Sequence, residues 1–211
     1  MASMTNHSET QPTKPLHDAV IRITHWVGAA AMICMILSGW AIYNASPILP
    51  FMIPRWATLG GWLAAGIAWH LTAMWVLMLD GLVYLAYGLA TGHFRRHFLP
   101  LSPRAVLRDA TLALRLRLRH EGGHYNAVQR LLYTLVIIAA VLAVLSGLSI
   151  WKPVQFAPLT ALLGGYDIAR RIHFSLMAFI TAFLVIHILL VAIVPRTLLG
   201  MIIGTPKGTS A

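Results

Sequence analysis

Ile168–Val194 reads IARRIHFSLMAFITAFLVIHILLVAIV. After Arg171 the stretch carries no charge, and it exceeds the roughly 20 residues that a helix needs to cross the hydrocarbon core. Two histidines interrupt it, His173 and His187. Their separation is nearly four helical turns, so both rings lie on one face, about 21 Å apart along the axis.

Three similar runs precede it: Val20–Tyr43, Trp62–Leu89 and Val128–Trp151. The chain of 211 residues is 58% hydrophobic and only 10% charged, with mean hydropathy +0.74, more apolar surface than a water-soluble domain of this size can hide. In lipid the backbone must satisfy its own hydrogen bonds, so the runs are expected as helices. The fold expected is an all-α integral membrane protein, a four-transmembrane-helix up-down bundle. Its spans are about 20–43, 62–89, 128–151 and 168–194, within one domain of residues 19–204. Polar tails, 1–18 and 205–211, flank it. The first run is too long for a signal peptide and has no basic stretch immediately before a short apolar core, so it is expected to be retained.

The net charge of +10 invites a nucleic-acid reading, but its distribution favours a membrane one. Arg95, Arg96, Arg104, Arg108, Arg115, Arg117, Arg119 and Arg130 lie between the second and third runs. Lys14, Arg22, Arg196 and Lys207 lie near the ends, while Arg55, Lys152, Arg170 and Arg171 fall on the other side. By the positive-inside rule both termini and the middle loop face the cytoplasm. The single cysteine, Cys34, excludes an intrachain disulfide, covalent haem attachment through C-x-x-C-H and an iron–sulfur cluster held by this chain alone.

Within the first loop, Trp56 and Trp62, with Trp40 and Tyr43 of the first run, are expected at headgroup depth. Ser102–His120 interleaves leucine with arginine and fits either a helix on the inner leaflet or a solvated one. Pro195–Gly204 is expected as a short interfacial piece. A weak repeat links runs one and three: Leu37-Ser38-Gly39-Trp40-Ala41-Ile42-Tyr43 and Leu145-Ser146-Gly147-Leu148-Ser149-Ile150-Trp151. Each precedes an outer loop and then a helix with an early histidine, His70 or His173.

The alternating direction of the spans sorts four histidines by depth. His70 and His173 lie toward the outer side, His25 and His187 toward the inner. A single imidazole in lipid can be a hydrogen bond to a neighbouring helix, but four that pair by depth suggest ligation. Iron in haem takes two axial ligands, and helix bundles hold such groups between facing helices. The expectation is two non-covalent b-type haems, the outer held by His70 and His173, the inner by His25 and His187. Gly39 and Gly147 either make room for a macrocycle or serve ordinary small-residue packing. Arg22, Arg170 and Arg171 are candidate propionate contacts or interfacial anchors. Asp80, alone among carboxylates inside a span, is a proton relay or a structural acid. The pairs His93/His97 and His120/His124 are expected as surface histidines without metal.

These residues resemble the bacterial di-haem cytochrome b family of the cytochrome b-561 and Ni,Fe-hydrogenase cytochrome b subunit type. The likeness rests on Arg22-Ile23-Thr24-His25-Trp26, on His70, on the His173 and His187 pair, and on Tyr125-Asn126-Ala127-Val128-Gln129-Arg130 at the entry to the third span. Gly92-His93-Phe94-Arg95-Arg96, Trp151-Lys152-Pro153 and Gly164-Gly165-Tyr166-Asp167 most resemble thiosulfate-reductase-type subunits. The resemblance implies electron exchange between membrane quinone and a redox partner, a molybdopterin oxidoreductase, a hydrogenase or a cytochrome c. It makes Asn126 and Gln129 candidates for a quinone site near the inner haem. Two alternatives stand beside it: a stand-alone superoxide:quinone oxidoreductase with Arg55, Lys152, Arg170 and Arg171 steering the anion, and a small transporter without redox chemistry.

Overall fold

The computed structural model describes residues 19–92, 94, 102–114, 127–193 and 195–202, with the backbone alone at 113, 114, 196 and 197. The expected tails, Asn126 and the histidines at 93, 97, 120 and 124 lie outside the described residues. Seven α-helices follow one another among the described residues, with no strand: α1 Ala19–Ala45, α2 Leu63–Ala90, α3 Pro103–Leu114, α4 Ala127–Trp151, α5 Ala157–Leu162, α6 Tyr166–Ile193 and α7 Arg196–Ile202. Helices α1, α2, α4 and α6 are long and apolar enough to cross a membrane. Their surfaces carry exposed Leu79, Leu82, Val83, Leu189 and Leu190, as lipid-facing helices do.

The bundle is built from two antiparallel hairpins. Helix α1 packs closely along α2, and α4 along α6, while direct backbone contact between the hairpins is sparse. Small residues allow the close packing inside a hairpin. Gly66 of α2, for example, lies against Ala41 and the Ser38 backbone of α1. Both hairpin loops re-enter the bundle through paired glycines with positive φ, Gly60-Gly61 before α2 and Gly164-Gly165 before α6, a conformation that costs other residues strain.

Side chains join the hairpins across the seam. Tyr43 stacks on Phe174 with ring centroids 5.3 Å apart, and Trp75 meets Trp151 edge-on at 6.5 Å. Arg170 of α6 donates to the Ser46 carbonyl oxygen and to its hydroxyl, just beyond the end of α1. Tyr43 thus departs from the aromatic belt expected of it. It is 7% exposed, and its hydroxyl donates to the carbonyls of Leu49 and Phe51, holding the outer loop down on the bundle. Trp56 and Trp62 are exposed, as a belt requires.

The basic loop also differs in part from expectation. Its described helix, α3, packs on the N-terminal end of α4. The reason is Asp109, buried, whose carboxylate accepts the Ala127 N–H at 2.9 Å and so caps the first turn of α4. At the same end of the bundle α7 lies against α1, where Arg22 donates to the Ile202 carbonyl and the Trp26 indole to that of Met201. Cations and donors suit the carbonyl end of a helix.

Candidate functional site

The four intramembrane histidines meet across the seam in two pairs. His70 of α2 faces His173 of α6 with ring centroids 6.3 Å apart and planes at 74°. His25 of α1 faces His187 of α6 at 6.2 Å and 65°. Span α4 contributes no histidine. A metal–imidazole bond is about 2 Å and puts the metal about 3 Å from the ring centroid, so two rings on one metal stand about 6 Å apart. Both pairs have that spacing, and each bridges the hairpins where their backbones barely touch.

The outer rings are held in one tautomer. His70 Nδ1 lies 3.1 Å from the Met35 carbonyl oxygen and 3.1 Å from Ser38 Oγ. A carbonyl only accepts, so Nδ1 carries the proton and donates. The Ser38 hydroxyl donates to its own helix, to Cys34 O at 2.6 Å. Its lone pair therefore receives the ring N–H. His173 repeats the arrangement on α4, with Nδ1 2.9 Å from Ala143 O and 3.1 Å from Ser146 Oγ, whose own hydroxyl donates to Leu142 O. In each ring Nε2 keeps its lone pair and is free to ligate a metal.

The glycines of the repeat serve the rings more directly than expected. A Cβ on Gly39 would stand 3.4 Å from His70 Cε1, and one on Gly147 3.2 Å from His173 Cε1. The room they leave is taken by the imidazoles themselves, which is how Ser38 and Ser146 reach Nδ1. Those serines, both fully buried, were not singled out from the sequence as functional, although the L-S-G repeat contains them.

The inner pair has another setting. His187 lies flat on Phe183, with centroids 6.0 Å apart and planes at 11°, and His25 meets Trp26 edge-on at 5.3 Å. Phe183 in turn packs on Tyr133 of α4. Beside this pair sits Arg22, one turn before His25. Its Nε is buried without a hydrogen-bond partner, a costly condition that an anionic group would relieve.

The other candidates divide. Arg170 is engaged with Ser46, close to the outer pair. Arg171 is exposed and about 200° around α6 from His173, so it turns away from the seam. Gln129 occupies the first turn of α4, half-buried. Lys152 lies over the Trp151 ring at 5.2 Å. Asp80 sits in the α1–α2 interface against Gly28, where an added Cβ would stand 2.8 Å from its Oδ2.

The donor set suits a b-type haem. Among the described residues it offers two imidazoles per site at the spacing one metal requires, no thiolate and no added carboxylate, between apolar helices, with an unpaired arginine nitrogen beside one pair.

Comparison with known proteins agrees with this chemistry. Residues 16–204 match the family described as prokaryotic cytochrome b561. A putative protein-methionine-sulfoxide reductase subunit, YedZ1, of Azospira oryzae is 47% identical over 190 residues, which is 90% of this chain and 96% of that relative. Its name points away from the thiosulfate-reductase type and toward a different oxidoreductase. This chain therefore belongs to the prokaryotic cytochrome b561 family of multi-pass bacterial membrane haem proteins that transfer electrons.

Proposed function

We propose that the protein is a di-haem cytochrome that carries electrons from membrane quinol to a partner subunit outside the inner membrane, and that the partner reduces methionine sulfoxide in proteins. The reading is carried by the two facing histidine pairs at 6.2 and 6.3 Å, one toward each side of the membrane. Each haem would supply a one-electron centre when bound.

The chain supplies the rest. His70 and His173 would ligate the outer iron through Nε2, and His25 and His187 would hold the inner. Arg22, with its buried unpaired Nε, would pair with a propionate of the inner haem, and Arg170 would turn from Ser46 to one of the outer. Trp26, Phe183 and Tyr133 exclude water from the inner pair, and Tyr43, Phe174, Trp75 and Trp151 close the seam. Gln129, in the first turn of α4, and Asn126, outside the described residues, are the candidates for a quinone site. Both termini face the cytoplasm, as the charge distribution favours.

Quinol oxidation releases two electrons and two protons. Reduction of a methionine sulfoxide consumes two of each and yields the thioether and water, so the coupled reaction balances. The support for this partner is the name of the 47% identical relative.

The test uses purified protein in detergent. A Soret band with two haems per chain is expected, together with reduction by a quinol analogue and reoxidation by the reductase subunit plus methionine sulfoxide. Absence of haem would end the reading. Rapid reduction by superoxide, with none of the quinol-driven reoxidation, would replace it with the superoxide:quinone alternative.

A further inference from the structure

The geometry points to Ser38 and Ser146 as a matched pair of positioning residues that lower the reduction potential of the outer haem and leave the inner one unchanged. This rests on the reading just proposed, in which His70 and His173 hold the outer iron.

A hydroxyl in a membrane helix commonly donates to the carbonyl one turn back and does nothing else. Thr24, Thr72, Thr134 and Thr181 bond in that way, to the residue four before each. Ser38 and Ser146 do so as well, with a consequence the threonines lack. Their hydrogens are committed to Cys34 O and Leu142 O, so each Oγ presents a lone pair toward a histidine Nδ1–H at 3.1 Å.

The same ring proton is shared with the carbonyl three residues earlier, Met35 O at 3.1 Å or Ala143 O at 2.9 Å. The match extends to the glycine that follows each serine and admits the ring edge. The two hairpins thus present the same serine, carbonyl and glycine to the two histidines that would hold one metal.

Four acceptors therefore draw on the two Nδ1 protons. An imidazole whose N–H is pulled in this way gains imidazolate character and becomes a stronger donor to the metal. A stronger donor favours ferric over ferrous iron, so the potential falls. The reduction is a one-electron step, Fe(III) to Fe(II), with no bond made or broken in the protein. Both serines are fully buried, so water does not weaken the effect. At the inner pair His187 is stacked on Phe183 instead, and neither serine reaches that depth.

The experiment is a redox titration of the purified holoprotein, followed in the haem α-band, for wild type, Ser38→Ala, Ser146→Ala and the double variant. The wave assigned to the outer haem is the one lost in His70→Ala. That wave should rise in potential with each alanine, by up to about tenfold in the ferrous-to-ferric ratio at fixed ambient potential, or ~59 mV. The two effects should add, and the other wave should stay in place.

Ser38→Cys and Ser146→Cys are nearly isosteric and replace a strong acceptor with a weak one. They should give smaller shifts in the same direction even where alanine impairs folding. Variants that bind both haems with unmoved potentials, waves that move together, or a downward shift would overturn the inference. A wild-type protein without two bis-histidine haems would instead fail the proposed function, and the spectrum reports that before any titration.

Discussion

Each outer histidine is defined by what touches both of its ring nitrogens. Nδ1 is bound to a carbonyl and a serine, and Nε2 faces its opposite number across 6.3 Å between centroids. His70→Ala and His173→Ala should therefore each remove the same single haem, and His25→Ala and His187→Ala the other, read as haem-to-protein ratio and as loss of one redox wave. Removal of different haems by His70→Ala and His173→Ala would contradict the pairing. The glycines give a sharper contrast. Replacing Gly with Ala inside a helix gains about 1 kcal/mol of propensity, whereas overpacking costs about 1–3. At Gly39 the new Cβ makes an ordinary 3.4 Å contact, while at Gly147 it is crowded to 3.2 Å. Gly39→Ala should be close to neutral. Gly147→Ala should lower outer-haem occupancy and displace its band, as measured by absorption after purification.

Helices place these residues, and each placement has a local cause. His70 and His173 are both the eighth residue of their helices, α2 and α6, and each helix follows a positive-φ glycine pair, Gly60-Gly61 or Gly164-Gly165. Helix α4 has no histidine, yet it fixes His173 through Ala143 and Ser146. Its own start is capped by Asp109 from α3. Asp109→Ala removes that cap at a cost of about 1 kcal/mol. It should speed proteolysis in the segment between α3 and α4, scored by the rate of cleavage there, with haem content unchanged. Of these arrangements, the four spans were legible from hydropathy, because lipid demands unbroken apolar helices. The docking of α3 was not, since Ser102–His120 is equally compatible with a leaflet or with water until a buried Asp109 meets the end of another helix.

Across the whole molecule, two well-packed hairpins meet at a seam with little backbone contact, crossed by two histidine pairs and a few aromatic contacts. A group ligated from both sides would act there as a cross-link, stabilising the folded state by mass action. Protein produced under haem limitation should therefore melt several degrees lower than holoprotein and regain stability on haem addition, followed by thermal unfolding in detergent. Equal melting of the two forms would show that the seam holds by itself. The charge distribution makes a second prediction at this scale. A fluorescent protein fused after Ala211 should fold in the cytoplasm, and alkaline phosphatase at the same place should be inactive; the reverse pattern would invert the topology.

The bundle, and the meeting of His70 with His173 and of His25 with His187, were readable in the sequence, because a hydrophobic span sets a helix and the helix sets a 3.6-residue period. The family likeness was readable too, since its motifs are contiguous. Contacts between elements were decided only by tertiary packing. Tyr43 looked like a belt residue and is a buried strut on Phe174. Arg170 and Arg171 looked equivalent, yet one is tied to Ser46 and the other faces away. Ser38 and Ser146 were part of a repeat without an evident purpose. Their role depends on a hydroxyl whose hydrogen is already committed to its own helix meeting a ring nitrogen 32 or 27 residues away, which no local pattern encodes.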